Sequence, residues 1–103
     1  MIRHIVLFNP RPDAAQAEID AVVRAAQAMP GQIPGLRNFA VNTAFEMVQP
    51  PRYRYALTME FDDEATARAY IDHPVHQRFR EIFVPLCAER QVTTLREVGA
   101  AEG

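Results

Sequence analysis

From Tyr53 to Phe61 the chain alternates without a break: Tyr53, Tyr55, Leu57, Met59 and Phe61 are interleaved with Arg54, Ala56, Thr58 and Glu60. A period of two puts the large residues on one face of a β-strand and the small or polar ones on the other. Such a strand is stable only inside a sheet whose apolar face is covered by another layer. The rest of the chain supplies both.

Residues 2–8 are a short apolar run rich in β-branched residues and read as a first strand. Ile2, His4, Val6 and Phe8 share one face; Arg3, Ile5 and Leu7 share the other, so burial on both sides is expected. Asn9-Pro10-Arg11-Pro12 breaks the strand. Asp13, with Gln16 three positions on, has the spacing of a capping box. Ala15, Ile19, Val22, Ala26 and Met29 then recur at helical spacing up to Pro30-Gly31. Ile33-Pro34-Gly35-Leu36 is a turn into a second strand around Phe39 and Val41, and a loop follows over 46–52. Asp62-Asp63 opens a short helix to about Ile71. Pro74 disfavours helical backbone at His73 and starts a new helix, with Val75, Phe79, Ile82, Phe83 and Leu86 as its apolar stripe. Pro85 is expected to bend or end that helix, and residues 91–98 to form a last strand. The order is β-α-β-β-α-β with the second helix broken. This is the ferredoxin-like α+β pattern: a four-stranded antiparallel sheet with helices on one face. One domain over 1–98 and a flexible tail over 99–103 are expected.

Helices on one face leave the other unpartnered. Ile5, Leu7, Ala56 and Thr58 lie there, an apolar area larger than monomers usually expose. A second copy of the chain, its sheet laid face to face as in a dimeric α/β barrel, is the expected cover. Phe45, Met47 and Val48 are apolar residues in a loop and fit either a dimer contact or a pocket rim.

A net charge of −2 with arginines spread along the chain argues against a nucleic-acid partner. No apolar run approaches the roughly 20 residues of a membrane span. A single cysteine, Cys87, forms no internal disulfide, and a cytoplasmic setting fits it. The chain has no lysine and much alanine, as expected of a GC-rich bacterial genome. No cofactor motif occurs.

The histidines are His4, His73 and His76, two of them in the run Tyr70-Ile71-Asp72-His73-Pro74-Val75-His76. That run, the start Ile2-Arg3-His4-Ile5-Val6-Leu7-Phe8 and the turn Ile33-Pro34-Gly35 together resemble the stress-responsive A/B-barrel (Dabb) family, over about residues 2–95. The family includes a plant polyketide cyclase that works by intramolecular aldol condensation without metal or cofactor. It also includes heat-stable plant proteins that assemble into large oligomers. The resemblance carries the cyclase's general-base histidine onto His76 and its partner tyrosine onto Tyr70. A further pocket histidine falls on His4, and another on Tyr55, where this sequence departs from the cyclase.

The residues read by themselves partly agree. His76 shares a helix face with Phe79 and Phe83, and His4 lies among Ile2, Val6 and Phe8. Polar tips in apolar surroundings are the make-up of a small-molecule pocket, and Phe79 and Phe83 are its expected apolar contacts. An imidazole can take a proton at neutral pH, and a tyrosine hydroxyl can donate to a developing enolate. The ligand implied is a small apolar compound, carbonyl-bearing or aromatic. A plainer account makes His76 a half-buried residue bonded to a backbone carbonyl and His73 a helix terminator. His73, His76 and His4 as three metal ligands is a weaker arrangement, because Pro74 disrupts the helical face and no fourth ligand is placed. The function expected is a cofactor-independent cyclase, isomerase or lyase. The alternatives are a non-catalytic stress-associated dimer and a quinol-type monooxygenase of the wider superfamily.

Overall fold

The computed structural model describes residues 1–99. Its elements run β1 Ile2–Pro10, α1 Gln16–Ala28, β2 Arg37–Thr43, β3 Tyr55–Phe61, α2 Glu64–Asp72, α3 Pro74–Leu86 and β4 Cys87–Arg96, with a short 3-10 turn at Met29–Gly31. The four strands form one antiparallel sheet in the order β2-β3-β1-β4, the ferredoxin-like arrangement. The expected tail over 99–103 falls outside the described residues from 100 onward.

Alternation decides what is buried. Ile2, His4, Val6 and Phe8 of β1 and Leu57, Met59 and Phe61 of β3 face the helices and are buried. Ile19, Val22 and Ala26 of α1 and Phe79, Phe83 and Leu86 of α3 close over them. Each such side chain withdrawn from water contributes about 1.5–3 kcal/mol. The opposite face carries Ile5 and Leu7, aligned with Thr58 and Ala56 of β3 and with Thr93 and Gln91 of β4. Ile5 and Leu7 are only half-buried, because no element of the chain crosses that face.

Four local expectations need correction. Asp13 does not cap α1: the cap position is Ala15, which offers no side-chain acceptor, and Asp13 pairs instead with Arg11 at 3.2 Å. Pro12 and an Ala14-to-Arg11 backbone bond turn the chain before the helix begins. The last strand starts at Cys87, not Gln91, so α3 passes directly into β4. The helix end is held from β1: Arg11 donates its backbone N–H to the Leu86 carbonyl at 2.8 Å and its guanidinium to the Pro85 carbonyl, satisfying groups a helix C-terminus leaves free. The first strand runs two residues beyond Phe8, to Pro10, where a register shift lets it pair with Cys87. The third strand starts at Tyr55, two residues later than the alternation implies.

The break at Pro74 is as expected. Asp63 caps α2 by accepting from the Thr66 N–H at 2.8 Å. His73 leaves helical geometry (φ −66°, ψ 137°), and its Nδ1 accepts the Val75 N–H at 3.1 Å. It therefore ends α2 and caps α3 at once. Gly35, at φ 82°, lies against the Thr66 side chain and joins the turn before β2 to the start of α2.

Candidate functional site

Tyr70 is on the last turn of α2 and His76 on the first turn of α3. In one continuous helix, six residues would separate them by a net rotation of about 240°. The break at His73-Pro74 cancels that rotation: the two rings lie 4.2 Å apart, centroid to centroid, tilted by 42°. His4 approaches Tyr70 from β1 in an edge-on contact at 5.9 Å. His4, Tyr70 and His76 thus converge between the sheet and the α2–α3 corner.

Hydrogen bonds fix the rings. His76 Nδ1 lies 3.0 Å from the Ile71 carbonyl, which also accepts from Gln77 Nε2 at 2.7 Å. A carbonyl only accepts, so Nδ1 carries the hydrogen and Nε2 of the neutral ring holds the lone pair. His4 Nδ1 is 2.8 Å from Thr94 Oγ1 on β4, whose backbone is aligned with His4. The Tyr70 ring is buried at 2% exposure. Burial raises the Tyr70 pKa well above its ordinary value, so the hydroxyl keeps its proton.

Both histidines are less basic than a free imidazole. Burial lowers the pKa of His4, with the neighbouring His76 adding to the effect. Burial also lowers that of His76; its bond to Ile71 opposes the change and the Arg80 charge reinforces it. The cause is the cost of charging an imidazole out of water. Both rings are therefore neutral at neutral pH.

Two cavities meet at this cluster. A smaller one, about 210 Å³, adjoins His76, Tyr70 and His4 and has a largely apolar wall that includes Leu57, Phe79 and Phe83. Arg80 and Arg90 also line it. A larger one, about 440 Å³, lies on the other side of His4, Tyr70 and Ile71. Glu64 spans its rim, paired with Arg68 and with Arg96, each at 2.7 Å.

Of the residues singled out from the sequence, His4, Tyr70, His76, Phe79 and Phe83 come together. Tyr55 does not. Its backbone is aligned with Phe8, whereas His4 is aligned with Met59, four residues away along the sheet or about 13 Å. There Tyr55 stacks on Phe8 at 5.4 Å, with Arg54 over its ring. Phe83 reaches both groups, meeting Phe8 edge-on at 4.9 Å and stacking on Phe79 at 5.1 Å. His73 spends its Nδ1 on the helix cap. Among the described residues no group of three or more His, Cys, Asp or Glu is placed to hold a metal ion. Cys87 donates to the Phe83 carbonyl at 3.2 Å, and burial pushes its thiol up to about 11, an unreactive state.

Sequence reasoning missed Thr94, Arg80 and Arg90. Arg80 was within reach of it, one helical turn beyond His76 on the same face.

Residues 2–94 match the family profile described as Stress responsive A/B Barrel Domain. An uncharacterized protein of Streptomyces coelicolor is 35% identical over 80 residues, 75% of this chain and 80% of its own length. A dimeric ferredoxin-like protein of unknown function from Thermobifida fusca superposes with a TM-score of 0.79 at 31% identity, over 91% of this chain and 88% of that one. The hydroxynitrile lyase of Passiflora edulis shares the fold, with a TM-score of 0.83 at 20% identity over 94% of each chain.

Proposed function

The chain belongs to the stress responsive A/B barrel domain family, and on that premise we propose that it is a cofactor-independent small-molecule catalyst of the cyclase, isomerase or lyase type. The observation that carries this reading is the state of His76. Its Nδ1–H is tied to the Ile71 carbonyl, its Nε2 lone pair is left over, and its ring adjoins an apolar cavity beside Tyr70. A structural histidine needs the first of these features but not the other two.

The chemistry follows from those groups. His76 Nε2 takes a proton from a carbon next to a substrate carbonyl; the C–H electron pair forms the carbon–carbon double bond of an enolate and the carbonyl π pair moves onto the oxygen. Tyr70, still protonated, donates a hydrogen bond to that oxygen. The imidazolium then returns its proton to the substrate at carbon or at a leaving group. His4, oriented by Thr94, shapes the wall beside Tyr70. The Passiflora edulis enzyme shares the fold alone, so its reaction lends only the precedent that this architecture carries lyase chemistry. The decisive experiment is turnover of a panel of polyketide-like and quinol-like compounds by the native protein and by His76→Ala. A turned-over compound whose rate survives the substitution defeats the assignment.

The functional unit in this proposal is a homodimer formed through the open sheet face. Ile5 and Leu7 lie at its centre. Leu7 and Ala56 share a depression with Phe45, whose side chain is 81% exposed in the single chain. That shared depression favours the dimer face over the His76 pocket as the role of this loop. The Thermobifida fusca relative, itself dimeric, supports the same assembly.

A further inference from the structure

Among the described residues Arg24, Arg54, Arg78, Arg80 and Arg90 form no ion pair, unlike Arg3, Arg11, Arg37, Arg52, Arg68 and Arg96; of those five, only Arg80 and Arg90 line the cavity beside His76. They come from different elements. Arg80 lies one turn along α3 from His76, and Arg90 lies on β4, aligned with Phe8 on the face turned toward the helices. Both line the 210 Å³ cavity, and none of the residues lining that cavity is acidic. The larger cavity is different. Its two arginines, Arg68 and Arg96, are both engaged by Glu64. Of the two cavities at this cluster, only the small one, beside the His76–Tyr70 pair, carries uncompensated positive charge.

We infer that the ligand of this cavity is a small apolar carboxylate: Arg80 and Arg90 hold its carboxylate at the mouth, and its body lies among Leu57, Phe79 and Phe83. This rests on the proposed function and narrows its substrate class to oxo acids with a short apolar or aromatic body. A guanidinium presents a planar fork of donors that matches a carboxylate in two parallel bonds. The cavity lies below the roughly 300–1,000 Å³ of drug-sized sites, which sets the size limit. The charge also acts on the base. The Arg80 guanidinium lowers the proton affinity of His76 in the empty site. Pairing that guanidinium with a bound carboxylate removes the effect, so His76 becomes more basic once the substrate is in place.

Phenylacetate and its uncharged isostere phenylacetamide test this directly, titrated into the native protein with the His76 ring resonances observed by NMR. Phenylacetate is expected to bind about tenfold or more tightly than the amide, as charge-assisted hydrogen bonds imply. The preference shrinks with added salt. The His76 pKa is higher with phenylacetate bound than with phenylacetamide bound. Arg80→Gln and Arg90→Gln each remove most of the preference, weakening phenylacetate binding more than amide binding. Equal binding of the two probes overturns the carboxylate assignment and leaves the pocket reading in place. Binding of neither probe overturns both.

Discussion

His76 and Tyr70 belong to different helices, yet their ring centroids lie 4.2 Å apart. The contact exists because His73 steps out of helical geometry between them. Loss of either functional group should therefore alter rate without altering fold. With a turned-over substrate, His76→Ala lowers kcat by about 10²–10⁴-fold, the usual worth of a general base. Tyr70→Phe lowers it by about 10²–10³-fold, as for one lost oxyanion donor. Circular dichroism of both variants matches the native protein.

Capping by His73 is a separate, purely structural matter. His73→Ala removes the acceptor for the Val75 N–H. It costs about 0.5–2 kcal/mol in urea denaturation, the range of lost N-caps. His73→Asn or His73→Ser, which restores an acceptor at the cap, recovers most of that stability. A deficit equal in all three variants would show that the cap contributes nothing.

Stability should fall in mild acid. His4 and His76 both have pKa values lowered by burial, whereas in the unfolded chain they protonate near 6.5. Between the lowered folded values and 6.5 the unfolded state binds more protons, so unfolding free energy decreases as pH drops through that window. Above 6.5 both states are neutral at these positions and the contribution is fully present. Urea midpoints measured from pH 8 down to pH 5 should follow this course, with a shallower slope in His4→Gln. An unchanged slope in that variant would remove His4 from the account.

The open face of the sheet predicts the outcome of Leu7→Glu. In a face-to-face dimer this substitution buries an unpaired carboxylate and disrupts association. Light scattering should report a dimer for the native chain and a monomer for the variant. A native monomer at micromolar concentration would refute the assembly.

Gly35 adopts φ 82° with the Thr66 side chain directly against it. Gly35→Ala meets both a left-handed backbone penalty and a steric conflict, and a loss of about 1–3 kcal/mol is expected. Adding Thr66→Ala should return only the steric part, measured by the same denaturation series.

The course of β1 and β3, the broken helix and the ferredoxin-like order were legible because period and proline chemistry are local. The Tyr53–Phe61 alternation needed no partner to be read, and Pro74 acts on its immediate neighbour. The grouping of His4, Tyr70 and His76 came from family resemblance, since no spacing rule places β1 beside the α2–α3 corner. Thr94 was hidden because its bond to His4 spans 90 residues and depends on strand register. Tyr55 was misplaced for a related reason: a shared sheet face does not say how far along it two residues lie. Asp13 had the right spacing for a cap, but Arg11 competed for its carboxylate.

The corner that carries Tyr70 and His76 is internally tied. His73 N–H donates to the Tyr70 carbonyl, Val75 N–H to His73 Nδ1, Gln77 N–H to the His73 carbonyl, and the side chains of His76 and Gln77 to the Ile71 carbonyl. Every one of these bonds begins and ends within eight consecutive residues, 70–77. The corner thus closes its own backbone hydrogen bonds, while the Tyr70 ring packs against His4 and Phe61 of the strands. The bonds that hold this corner together and the arginines that line the adjoining cavity lie in different stretches of the chain, so a substitution at Arg90 on β4 changes the cavity wall without removing any of the corner's own bonds.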